Sequence, residues 1–218
     1  NAILQKNMNV IGRDDPKMSV FSGNDNRALY PGKTEKYIYQ EITDAMLMTN
    51  TGKGYSYTLN AVLNMMPVKD LNLMASYTYT RSRSLSNNSS NQIDGAWRQE
   101  PSVQGANYLT LHNSKYVQSP HRMIAEVSYA VRYARNYATM ISLFYSGQRY
   151  DSYSYLYGND MNRDGYVYDL LYIPVDRTEL NFQDLKVGDR TFTASEQQDA
   201  FWAFIDQDTY LKEHKGEY

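Results

Sequence analysis

The side chains best suited to chemistry in this chain are oxygen donors crowded into one short stretch, Asp160-Met161-Asn162-Arg163-Asp164-Gly165-Tyr166-Val167-Tyr168-Asp169. Side-chain oxygens at the first, third and fifth positions, glycine at the sixth and a backbone carbonyl at the seventh are how a calcium loop wraps a hard cation. Gly165 permits the sharp turn that brings the three side chains inward. The stretch departs from an EF-hand at the twelfth position, where Leu171 stands in place of a bidentate glutamate. Asp169, at the tenth, would have to substitute, and no clear helices flank the loop. Calcium held by Asp160, Asn162, Asp164, Tyr166 and Asp169 is therefore one expectation. An Asx-rich turn between tyrosine-bearing strands is the other.

Other chemistry is sparse. Zero cysteines exclude disulfides, thiol catalysis and Cys-ligated zinc. Three scattered histidines, His112, His121 and His214, argue against a transition-metal centre. No carboxylate pair stands out for glycoside hydrolysis, and there is no nucleophile elbow, phosphate-cradling glycine loop or histidine dyad. The chain is read as a non-enzyme, with no catalytic residue assigned. Charge is balanced, with 22 Lys+Arg against 24 Asp+Glu, which argues against a nucleic-acid partner. Mean hydropathy is −0.66, and no run approaches the ~18 apolar residues of a membrane helix. The unusual count is tyrosine, 22 in 218 residues. Its apolar body and polar tip suit strands, grooves and membrane–water boundaries.

The elements that must carry these residues announce themselves by period-two alternation. Tyr55, Tyr57, Leu59, Ala61, Leu63 and Met65 oppose Ser56, Thr58, Asn60, Val62 and Asn64. After a turn at Pro67-Val68-Lys69-Asp70, Leu71, Leu73, Ala75, Tyr77 and Tyr79 oppose Asn72, Met74, Ser76, Thr78 and Thr80, which predicts a hairpin. A second hairpin is predicted from Met123, Ala125, Val127, Tyr129 and Val131, a turn at 132–136, then Tyr137, Thr139, Ile141, Leu143 and Tyr145. Each run is about ten residues, enough for a tilted strand to cross a bilayer. The connections at 66–70 and 132–136 are short, while 81–119 and 147–218 are long. Alternating short and long connections, with tyrosines near strand ends on the apolar face, are features of outer-membrane barrels. A soluble sandwich with one tyrosine-rich face is the competing architecture. Arg122 and Glu126, four apart on one strand, share its polar face; in a wide barrel they would line the lumen, and in a sandwich they would be solvated.

The long segments are less regular. The region 81–119 is rich in Ser and Asn, with a glycosylation sequon at Asn87-Asn88-Ser89, and carries Trp97, Tyr108 and Tyr116. Residues 3–50 show weak periodicity, with Tyr37-Ile38-Tyr39 and 42–48 as strand material. Thr193 to Lys215 predicts one helix, at about 194–215, begun by a Thr193-x-x-Glu196 capping box and ended at Gly216. Phe201, Phe204, Ile205 and Leu211 form its apolar stripe. Asn1-Ala2 has the form of a scar left by tag removal. The predicted organisation is thus barrel strands over 3–147 and one long outer loop over 148–218, holding the calcium turn and the helix.

Several segments taken in order resemble a family. They include Asn50-Thr51-Gly52-Lys53-Gly54-Tyr55-Ser56-Tyr57, Ala75-Ser76-Tyr77-Thr78-Tyr79-Thr80 and Ser119-Pro120-His121-Arg122. Ile141-Ser142-Leu143-Phe144-Tyr145-Ser146-Gly147-Gln148, the aspartate motif with Asp169-Leu170-Leu171-Tyr172-Ile173-Pro174, and Ala200-Phe201-Trp202-Ala203-Phe204-Ile205 continue the series. Together they are similar to TonB-dependent outer-membrane receptors of Bacteroides type, closest to the Oar-like group with its carboxypeptidase-like regulatory domain. The resemblance implies an all-β fold: antiparallel up-and-down strands from part of a transmembrane barrel of about 22 strands, with long extracellular loops. It also implies an outer-membrane location, a plug domain and TonB as partners, and import of a small or oligomeric nutrient, in some cases with a surface lipoprotein. No residue is assigned to that ligand. The alternative function is a calcium-dependent surface or soluble glycan-binding β module that uses loop aromatics as stacking platforms.

Overall fold

The computed structural model describes residues 2–21, 23–32, 34–117, 119–134, 136–149 and 152–218. Asn1, half of the expected scar, and Arg135, in the second expected turn, lie outside them. The chain is mostly β, with antiparallel sheets and few helices. Among the described residues no helix is long and apolar enough to cross a membrane.

The chain divides into two compact units. The first comprises Met48–Asn87 and Thr110–Tyr153 with the first residues of the chain. Its sheet is built from β5 (Tyr55–Val68), β6 (Leu71–Ser84), β8 (His121–Tyr133) and β9 (Tyr137–Gln148), in that order. A two-residue strand, β7 (His112–Asn113), adds to β6 by pairing with Arg83 and Ser84. Both hairpins form where the alternation predicted them, and every strand runs two to four residues beyond its periodic core. The first turn is tighter than expected, because Pro67 and Val68 belong to β5 and only Lys69-Asp70 reverse the chain. Pro67 has no N–H to donate. It falls where the register shifts, between Met65 and Val68, an irregularity that tolerates a residue without an N–H.

The turn ends of the two hairpins are tied together. Asp70 sits at φ 66 and accepts two hydrogen bonds from the Arg132 guanidinium, at 2.9 and 2.7 Å. The Arg132 hydrogen bond is also what holds the Asp70 carboxyl below its usual range. Nothing local in the sequence marks this pair, which lies 62 residues apart.

The second unit gathers Gln5–Leu47, Asn88–Leu109 and Ser154–Tyr218. The N-terminal stretch, read from sequence as barrel strand material, therefore belongs largely with the long loops. Its regular structure is limited to β1 (Ala2–Asn7) paired with β4 (Met46–Thr51), and a minimal hairpin of β2 (Ser19–Val20) and β3 (Ala28–Leu29). Tyr37 makes only an isolated bridge to Val10, so 37–39 is not a strand. The 81–119 region, expected as a polar loop, holds a short helix, α1 (Ile93–Arg98), whose Ala96 and Trp97 are buried.

The expected single helix at 194–215 is two. Thr193 and Glu196 form the predicted capping box for α2 (Ala194–Gln207). Asp208 then takes an extended conformation, accepts from the Leu211 N–H and starts α3 (Thr209–Glu213). A residue whose side chain satisfies the next helix's free N–H groups cannot also continue the previous helix. Ile205 and Leu211 of the predicted stripe are fully buried against Ile173, with Tyr155, Phe201 and Trp202 packed around them. Phe204, on the same stripe, is 38% exposed but meets the Tyr155 ring edge-on. Gly216, at φ +87, returns its N–H to the Ile173 carbonyl, an arrangement that favours glycine. A further hairpin, β10 (Leu185–Val187) with β11 (Arg190–Phe192), precedes α2.

Candidate membrane face and candidate cation loop

Register decides what the sheet of the first unit presents. Leu63 pairs with Ala75, Ala75 with Ala125 and Ala125 with Tyr145, so residues of one parity share a face across all four long strands. That face carries Leu59, Leu63, Leu73, Val127, Ile141 and Leu143 through its middle. Tyr55, Tyr57, Tyr77 and Tyr79 lie toward the long-loop end, and Tyr129, Tyr133 and Tyr137 toward the turns. The Tyr77 hydroxyl meets His121 Nδ1 at 2.6 Å, while the Tyr57 and Tyr79 rings lie 6.0 Å apart.

Large apolar side chains on this face are open. Leu143 is 72% exposed, Leu59 64%, Ile141 63% and Leu63 54%. Among the described residues, Leu85 is the one buried apolar side chain of this unit. A sheet normally buries one face against a second layer. The described residues of this unit form no such layer.

The opposite face is richer in hydroxyl, amide and charged side chains, but it also carries Val62, Met74, Ile124, Met140 and Phe144. Asn60 Oδ1 accepts from Ser76 and Thr78, and Thr58 meets Thr80 at 3.1 Å. Arg122 and Glu126 both stand on this face, as their spacing predicts. Arg122 pairs in register with Thr78 and Gln148, and Glu126 with Met74 and Phe144.

In the second unit, 160–169 folds into a set of loop-internal hydrogen bonds. Asp160 Oδ2 accepts from the Gly165 N–H, Asn162 Oδ1 from Asp164, and Asp164 Oδ1 from Tyr166, all at 2.8–2.9 Å. These bonds turn the first, third and fifth side chains of the motif inward, and Gly165 supplies φ +91. Asp160 Oδ1 is buried with no hydrogen-bond partner among the described residues. Asp169 does something different from what its place in the motif suggested. Its Oδ2 anchors the loop by accepting from Met161 and Asn162, and its Oδ1 faces Arg27 Nη1 at 3.6 Å.

Two buried cations converge on the loop from distant sequence. Arg27 is fully buried; it pairs with Asp25 at 2.9 Å, donates to the Leu170 carbonyl and lies against the rings of Tyr157 and Tyr218. Lys36 donates to the Asp164 carbonyl beneath the Tyr37 and Tyr166 rings, and burial lowers its pKa. Trp97 closes the other side, edge-on to Tyr166 at 5.2 Å. Sequence reasoning missed Arg27, Lys36 and Asp25, because Arg27 and Lys36 reach the loop across more than 120 residues.

Asp25, Asp160, Asp164 and Asp169 thus gather around Arg27 and Lys36, with Glu100 and Arg98 lining the same small cavity as Asp164 and Asp169. Burial pushes the Asp164 carboxyl up to about 7 and also raises that of Asp169. Among the described residues no three Asp, Glu or His side chains converge on one metal position. A cation here would need the Asn162 amide oxygen and the Tyr166 carbonyl as well as Asp160 and Asp164, which is a calcium-like donor set.

The chain matches no family model, no curated protein and no solved structure. Its function has to be argued from these two sites.

Proposed function

We propose that this chain is part of the wall and outer loops of a transmembrane β-barrel of the TonB-dependent receptor kind, whose full-length protein binds and imports a nutrient across an outer membrane. One observation supports the reading: a four-strand apolar face, tyrosine-bearing toward both ends, on which no described residue of its own unit packs as a second layer. From Tyr55 to Met65 there are ten steps of ~3.3 Å; at a tilt of ~40° they span ~25 Å, the height of the apolar band on such barrels. Left in water, that face and the long open edges of β5 and β9 would drive aggregation. Hydrocarbon on the face and neighbouring strands on the edges remove both hazards.

In this reading Arg122 and Glu126 face the wet interior, where charge is tolerated, and the second unit is extracellular. The work is capture and gating, with no bond made or broken. TonB and a plug domain are the implied partners, and a surface lipoprotein is a further one. Calcium fits as a structural ion of the outer loops: Asp160 Oδ1, buried without a hydrogen-bond partner among the described residues, and the Asp164 carboxylate would take it.

The test is the behaviour of the full-length protein. It should fractionate with the outer membrane and migrate differently on gels before and after heating. Recovery from the soluble periplasm would overturn the barrel and favour a surface or soluble binding module.

A further inference from the structure

The loop unit contains a cavity of about 440 Å³ that none of the above uses. Its size falls within the usual range for small-molecule sites. Five aromatic rings wall it: Phe21, Tyr157, Tyr172, Phe182 and Phe201, the last two edge-to-face at 5.9 Å. Two carboxylates, Asp25 and Glu179, also border it, and none of the described residues lining it is Lys, Arg or His.

The two carboxylates differ in their partners. Asp25 is already neutralised by the buried Arg27. Glu179 accepts three hydrogen bonds, from the Asn24 side chain, the Tyr172 hydroxyl and the Val175 N–H, and all three donors are neutral. The nearby Arg177 is committed elsewhere, pairing with Asp199 at 2.7 Å over the Trp202 ring. Glu179 is therefore positioned by three neutral donors at the border of a cavity lined by five aromatic side chains. Ring faces and a carboxylate both attract cations and both repel anions.

We infer that this cavity binds a small organic ammonium carrying an apolar body, with the charge at Glu179 and the body among the rings. The inference does not depend on the membrane reading, since the cavity lies wholly within the loop unit. If the full-length protein is a receptor, the cavity is a point of ligand capture.

The test uses the full chain in non-ionic detergent, titrated by calorimetry with three probes of similar shape: phenethylamine, 2-phenylethanol and phenylacetate. Phenethylamine should bind about tenfold more tightly than the alcohol, with the anion weakest. Its affinity should fall with added salt while that of the alcohol does not. Glu179→Gln keeps the shape and should abolish the advantage of the amine over the alcohol. Phe182→Ala should weaken both. Should Glu179→Gln fail to fold, as judged by far-ultraviolet circular dichroism, the probe ranking and salt dependence of the unmodified chain decide alone. Equal affinity for the three probes, an amine preference that survives Glu179→Gln, or preferential binding of a neutral sugar such as methyl glucoside would each overturn the inference.

Discussion

Asp164 is the residue at which folding and the proposed calcium binding would pull in opposite directions. Burial raises its pKa from 3.8 to about 7, so the cation-free fold favours the protonated form. A raised carboxyl contributes its full stability below its unfolded value, and that stability is lost as pH climbs through the folded value. Without calcium, the loop unit should lose stability between about pH 4 and pH 7. Calcium prefers the ionised carboxylate, so the rise in Tm on adding calcium should be larger at about pH 8 than at about pH 5. Asp164→Asn should flatten the first dependence and reduce the second; a calcium shift identical at both pH values would exclude this loop as the site. Arg27 is a separate test of the same cluster. Arg27→Ala would leave Asp25 and Asp169 buried without their cation, and should cost about 3–5 kcal/mol in denaturant unfolding. Asn87, although in a sequon, is engaged internally: its amide meets His112 Nε2 at 2.8 Å and its carbonyls accept from Lys115 and Tyr116.

At the scale of elements, local signals proved reliable where a strand or helix satisfies itself and unreliable where a neighbour decides. The period-two runs became β5, β6, β8 and β9 because alternation places like residues on one face whatever the strand pairs with. The Thr193–Glu196 box formed because its donors and acceptors lie within one turn. Thr193→Ala should lower stability by about 1 kcal/mol, read as a fall in helical circular dichroism melting. The helix break at Asp208 was not legible, since an aspartate there reads equally as solvated surface. Asp208 is instead fixed by the Tyr155 hydroxyl at 2.7 Å, from 53 residues away. The same holds for Asp70 and Arg132, which both read as turn residues and became a clamp between two hairpins.

For the whole molecule, the apolar face makes a directional prediction. Arginine placed mid-band on that face, as Leu63→Arg or Leu143→Arg, should cost about 2–4 kcal/mol when the full-length protein unfolds from lipid vesicles. Ser142→Arg, one residue away on the opposite face, should cost much less. Equal penalties on both faces, or none on either, would mean the leucines do not meet lipid. The contrast is informative because a one-residue step along a strand changes the surroundings completely while leaving composition and position nearly the same.

The residues alone determined the alternation, the two hairpins, the start of α2 and the oxygen-rich loop, all of which depend on side chains within about ten positions of one another. Tertiary structure alone decided that 5–47 joins 88–109 and 154–218 in one unit, that Arg27 and Lys36 meet the aspartate cluster, and that Glu179 borders an aromatic cavity. Those outcomes depend on long-range closure, in which buried charge and ring surface take whichever partner the fold brings near. Sequence spacing carries no record of that choice.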